Sequence, residues 1–279
     1  MKNESVFSTT FVLCPKEDAT LPAFEGHLSQ ASFLKLISEF DGVLSRRLHD
    51  EPYYRPYTVS AIRGGKISGD TMMLRQGQAC YLRITLLDGG ILWNALQTYF
   101  LKAGPISMRL GNADFQLMRM LITPTTDPTS WTGSADWQTL ASLPAQSTVT
   151  MHFVSATAFS QGGHQFCIFP EPDLVWASLL RAWNRYAPER MHIEKAAIRK
   201  SFENEIAVAT CALNHAYLHF PRFVQKAFTG WCTYQLSADR SLAAQLTSLA
   251  ALAHYSGVGY KTTMGMGQVR VAFDAEPGN

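Results

Sequence analysis

Hydrophobic and polar positions recur in two rhythms along this chain. Residues 5–14 (SVFSTTFVLC) are rich in β-branched and aromatic residues and predict a strand. Residues 27–40 (HLSQASFLKLISEF) space Leu28, Phe33, Leu34, Leu36, Ile37 and Phe40 so that they approximate one helical face. Asp41-Gly42 predicts the end of that helix, and Val43 to Leu48 a second, short turn. Residues 56–63 and 78–87 predict strands, the latter with Cys80, Leu82, Ile84 and Leu86 on one side. A helix over 90–102 is stopped by Gly104-Pro105, and 106–122 predict a long strand or hairpin.

Proline, threonine and serine then cluster over 123–147, which predicts a linker and a domain boundary near 145, although Trp131 and Trp137 suggest that part of it packs. The second half repeats the order: a strand over 148–156, a helix over 173–186 opened by Pro172 and Asp173, and strands over 205–220 and 228–236. A helix over 239–254 with Asp239 near its start and a strand over 266–273 follow. Two passes of βαββαβ predict an α+β fold of tandem ferredoxin-like (RRM-like) modules, residues 1–145 and 146–279. The duplication is one of pattern, without a residue-level repeat.

Composition narrows the function classes. Of 279 residues, 47% are hydrophobic and 16% charged, too apolar for a disordered chain. The formal net charge is only +2, so a polyanion site must come from local clustering. Five cysteines without a C-x-x-C pair argue against a disulfide framework or a cysteine zinc site and favour a reducing cytoplasm. Glu4, Ser5 and Ser8 to Thr10 interrupt the N-terminal stretch, so no signal-peptide core is expected there. No apolar run is long enough to predict a membrane-spanning helix.

The most unusual local chemistry is GVGYKTTMGMGQV at 257–269. Gly257, Gly259, Gly265 and Gly267 frame Lys261, Thr262 and Thr263. Glycines admit close backbone approach, and exposed amides beside a lysine suit a phosphate. The segment is neither a P-loop, because Tyr260 separates Gly259 from Lys261, nor a dinucleotide fingerprint, because it follows a helix and enters a strand. The same glycines also suit a tight helix-to-strand turn with a bulge.

Four blocks resemble the CRISPR-associated endoribonucleases of the sixth Cas family, a branch of the RAMP superfamily that cuts precursor CRISPR RNA within its repeats. GVGYKTTMGMGQVRV is similar to the family's glycine-rich loop, and FTGWCTYQL to the strand before it. VSATAFSQGG with PEPDLVWASLLRAWNRYAP resembles the entry to the second module, and LSRRLHDEPYYRPYTVS the catalytic segment. The resemblance implies tandem ferredoxin-like modules and a metal-independent reaction without cofactor. In that reaction the ribose 2′-OH attacks the adjacent phosphate, giving a 2′,3′-cyclic phosphate (or 3′-phosphate) and a 5′-OH. The implied partner is CRISPR repeat RNA, with an interference complex and a second copy of the chain as further candidates. A guide-RNA-holding subunit without catalysis is the alternative.

On that resemblance His49 matches the catalytic histidine. Histidine carries protons near neutral pH, and residues 44–66 hold five Lys/Arg against Asp50 and Glu51. Arg46 and Arg47 are candidates for RNA contact, as are Gly257, Gly259, Lys261, Thr262, Gly265 and Gly267 of the loop. Arg55 falls where some members have a catalytic lysine; arginine stabilises the same charge but donates no proton. The tyrosine that some members place before the histidine is missing, since Ser32 to Leu36 carries Phe33 and Leu34. Tyr54, with Tyr53 beside it, is the candidate substitute.

His27, at the start of the first helix, could approach His49, but a capping role is the simpler reading. His215 and His219 lack the glutamate of H-E-x-x-H and are read on a strand, so no metal site is expected. Arg181, Arg185, Arg190, Lys195, Arg199 and Lys200 face only Glu189 and Glu194, a second basic cluster that could grip an RNA backbone. Trp176 and Trp183, seven apart, predict a core stripe.

Overall fold

The opening β-branched run forms β1 (Ser5–Pro15), the central strand of the first sheet. The computed structural model describes residues 4–50, 55–88, 105–123, 131–163, 165–220 and 222–273. After β2 (Ala19–Pro22) come α1 (Gly26–Phe40) and α2 (Gly42–Asp50). Asp41 ends α1 as expected, but Val43 to Leu48 belong to a helix rather than a short turn. The Asp41 carboxylate accepts the Leu44 amide at 2.8 Å, satisfying a donor that a helix start leaves orphaned.

Strands β3 (Tyr57–Val59), β4 (Lys66–Ser68), β5 (Thr71–Leu74), β6 (Cys80–Leu86), β7 (Ser107–Leu110), β8 (Ala113–Leu121) and β9 (Gly133–Asp136) complete the first half. The main sheet runs β3-β6-β1-β8-β7, with β9 also on β1, while β2, β5 and β4 form a small separate sheet. The neighbours β3-β6, β6-β1 and β1-β8 are antiparallel. This is the order second, third, first, fourth of a ferredoxin-like module. The helix expected over 90–102 lies outside the described residues, except at its flanking Pro105.

One face of this sheet carries Phe11, Leu13, Leu82 and Ile84 into a core shared with Phe33, Leu36 and Ile37 of α1 and Leu44 and Leu48 of α2. The other face is polar yet buried. Ser8, Thr10, Thr58, Thr85 and Arg83 lie there, Thr10 opposite Arg83 in the ladder. Arg83 Nε donates to Ser8 Oγ at 2.9 Å, and its guanidinium stacks 4.4 Å over the Trp131 ring. Trp131 is thereby a structural lid on a buried cation.

In the second half, α3 (Trp137–Ala141) precedes β10 (Thr148–Thr157), β11 (Phe159–Gly162) and β12 (Gln165–Cys167). Then come α4 (Pro172–Tyr186), α5 (Lys195–Asn204), β13 (Ala207–Phe220), β14 (Phe223–Gln235), α6 (Arg240–Ser256) and β15 (Val269–Phe273). The sheet order β13-β14-β10-β15 repeats second, third, first, fourth, all antiparallel. Trp176 and Trp183 of α4 are buried, and each indole N–H is satisfied: Trp176 by Leu246 O at 3.2 Å, Trp183 by Met191 O at 2.8 Å.

Backbone contacts divide the chain into two units, Met1–Ala135 with Thr263–Gly265, and Asp136–Thr262 with Met266–Asn279. The division falls ahead of 145 because Trp137 packs edge-on against Trp183, 5.3 Å between centroids, inside the second unit. Within the described part of 123–147, residues 133–141 form β9 and α3.

Candidate active site

Two leucines one turn apart orient α2. Leu44 and Leu48 are buried, so Arg46, Arg47, His49 and Asp50 are left exposed. The His49 side chain is 74% exposed, at the last turn of the helix, where the carbonyl ends favour cations. Its Nδ1 lies 2.9 Å from Asp50 Oδ1. Arg55 follows as a half-buried residue whose Nε is shielded from solvent. Tyr53 and Tyr54 lie outside the described residues. His27 is half-buried in the first turn of α1. His215 and His219 sit on β13, opposite Phe228 and Val224 of β14. Among the described residues no three His, Cys, Asp or Glu side chains converge as a metal site would require.

A buried polar network joins α1, β3 and Thr263 in the first unit. Gln30 Nε2 on α1 donates to the Tyr57 hydroxyl and to Thr263 Oγ1, each at 3.1 Å. Burial raises the Tyr57 pKa, while the Gln30 hydrogen bond and the Arg55 charge oppose the rise. The Gly265 amide donates to Val59 O at 2.8 Å, and Gly265 bridges Ser60 in parallel. A side chain at Gly26 would place its Cβ 2.0 Å from Met264 O. The segment Thr263–Gly265 is therefore seated on α1 and β3 by contacts that admit no Cβ at Gly26.

Glu25 occupies the position before the first turn of α1, fully buried, and its carboxyl bonds elsewhere than to the helix-start amides. Its Oε2 accepts Ser29 Oγ at 2.6 Å and its Oε1 the Ile62 amide at 2.5 Å. Burial pushes its pKa up to about 7, against the lowering effect of those hydrogen bonds.

The glycine-rich loop uses its amides internally. Gly257 N donates to Ala253 O, Gly259 N to Ser178 Oγ, and Gly267 N to Ala156 O, all at 3.0 Å. Gly257, Gly265 and Gly267 are buried, and all four glycines have positive φ. The expectation of exposed glycine amides is corrected by this geometry: they close a helix-to-strand turn. Lys261 and Thr262 remain half-exposed. Lys261 is itself left-handed, φ 54°, and its Nζ lies 5.1 Å from the Phe220 and Tyr260 rings and 5.6 Å from Phe223.

Against known families, residues 6–142 match the CRISPR Cas6 N-terminal domain and residues 151–269 match the CRISPR-associated endoribonuclease Cas6. The chain belongs to the Cas6 family. A Cas6 endoribonuclease of Streptococcus thermophilus is 28% identical over 119 residues, 43% of this chain. That match spans about half of the relative's length, 48%. A solved Cas6 product complex is 27% identical with a TM-score of 0.80, covering 96% of this chain and 100% of that one. Thermus thermophilus Cas6 is 26% identical with a TM-score of 0.73, covering 96% and 98%. The Cas6 N-terminal match contains α2 with His49, and the second contains the glycine loop.

Within this Cas6 chain, Gln30, Tyr57 and Glu25 make buried polar contacts that sequence reasoning missed. Glu25 had a readable signal, an acid directly before a helix start. Gln30 had none, since its partner Thr263 is 233 residues away.

Proposed function

We propose that this chain is a metal-independent endoribonuclease that matures CRISPR guide RNA in the cytoplasm by cutting precursor crRNA within its repeats. The observation that carries the reading is His49, solvent-exposed on an arginine-bearing helix end with its Nδ1 held by Asp50. An ionised Asp50 favours the Nδ1–H tautomer, which leaves the Nε2 lone pair outward as a base. In the proposed step Nε2 takes the 2′-OH proton. The 2′-oxygen bonds to the adjacent phosphorus, and the bond to the 5′-oxygen breaks in line. Tyr54 is the proposed donor of the proton that the leaving 5′-oxygen accepts. Arg46, Arg47 and Arg55 supply the positive charge that the phosphorane requires, the term that contributes most in such reactions. Lys261 and Thr262 are the proposed RNA contacts of the glycine loop.

The test is product-end analysis of repeat RNA incubated with the protein in EDTA. The expected products are a 2′,3′-cyclic phosphate and a 5′-OH, and a single 2′-deoxy sugar at the cut abolishes them. Tight binding with no product at any pH between ~6 and ~9, the range in which histidine chemistry operates, would instead make the chain a guide-RNA-holding subunit.

A further inference from the structure

The second basic cluster becomes a defined site in the fold. Arg181 and Arg185 stand one turn apart on α4, and Lys195 and Arg199 one turn apart on α5. All four line one cavity of about 260 Å³. Arg190 and Lys200, part of the same sequence cluster, do not line it. Like charges at this spacing repel along each helix, and here two such pairs share one cavity. Arg181 records the strain. Its pKa is lowered by desolvation in the concavity and then by Arg199 and Arg185, with Asp173 opposing. Asp173 is a weak counterion, 3.6 Å from Arg199.

A side-chain-to-backbone clamp ties α4 to the chain entering α5. Asn184, also in the cavity wall, donates from Nδ2 to Ile193 O at 2.7 Å and accepts the Ile193 amide at 2.8 Å. This clamp seats the start of α5 two residues before Lys195. The cluster is therefore preorganised, and the repulsion among cations that share one cavity is what a bound anion relieves. Guanidinium forks match phosphate oxygens. A water's share of liquid volume is about 30 Å³, so the cavity has room for a phosphate together with an adjoining sugar.

We propose that this cavity holds one backbone phosphate of the bound RNA, a grip separate in kind from the proton chemistry assigned to His49. The inference rests on the RNA-binding half of the proposed function and not on its chemistry. The experiment measures binding of labelled repeat RNA across a salt series for the wild type and for Arg181→Gln/Lys195→Gln. The variant is expected to bind about tenfold more weakly and to lose about one phosphate from its salt dependence, a slope change of ~0.7–0.9. Its melting temperature without RNA is expected not to fall, because a repulsion has been removed.

A wild-type salt slope in a variant that melts normally would overturn the inference, even if cleavage still depends on His49. Inorganic phosphate raising the melting temperature of the wild type but not of the variant, with the RNA slope unchanged, would also overturn it by assigning the cavity to a free anion. A slope loss in a protein that cuts no RNA would support the grip and remove only the nuclease reading.

Discussion

The two units share one strand order and differ in what they do with charge. The first exposes His49 beside Asp50 and buries Glu25, whose pKa burial pushes up to about 7. The second gathers four cations around one cavity, whose lining contains no histidine or carboxylate. A repeated scaffold therefore fixes where side chains are presented, and on the function proposed above its residues divide between moving a proton and holding an anion. Substitutions in the first unit should change rates and pH dependence. Substitutions in the cavity of the second should change grip.

Arg55→Ala sharpens this contrast most. Single-turnover cleavage is expected to fall about 100-fold or more, the loss typical of one charge-stabilising donor, with RNA affinity little changed. An effect on affinity alone would make Arg55 equivalent to the cavity arginines and break the comparison.

Glu25 gives the next effect. The folded chain keeps a proton on Glu25 up to about pH 7 that the unfolded chain releases near 4.5. Its contribution is full below pH 4.5, declines as pH rises to about 7, and is flat above. The decline amounts to about 3 kcal/mol at most. Urea unfolding of wild type and Glu25→Gln at a series of pH values isolates it. The difference between the two should vary across this window, and a constant difference would contradict the buried-acid account.

Gly26→Ala is expected to cost about 2 kcal/mol, since its Cβ would displace the Met264 carbonyl. Denaturant titration measures it. Gln30→Ala is expected to cost about 1–2 kcal/mol, because it strands the buried Tyr57 hydroxyl and Thr263. Equal cleavage by both variants and wild type at saturating RNA would mean that the seating of Thr263–Gly265 is purely structural.

Periodicity made the βαββαβ skeleton legible because β1, α1, β10, α4, β13, β14 and α6 are long enough to show it. It did not reveal α2 as a helix, since Asp41 both ends one helix and caps the next. Strands β4 and β5, of three and four residues, are too short to carry a rhythm. The exposure of His49 could be read from Leu44 and Leu48 alone. The glycines were legible as turn formers, but which partners their amides take depends on distant residues such as Ser178 and Val59. The same is true of the Arg181 cavity: composition marks the charge, and only the packing of α5 on α4 selects four of its six cations.

The central claim is that one imidazole in the first unit carries the proton. It is tested most directly by single-turnover cleavage of repeat RNA by His49→Ala alongside its binding affinity. Cleavage is expected to drop by about 10²–10⁴-fold while the dissociation constant stays within about twofold of wild type. A variant that cuts at the wild-type rate would contradict the claim and move the active site away from α2.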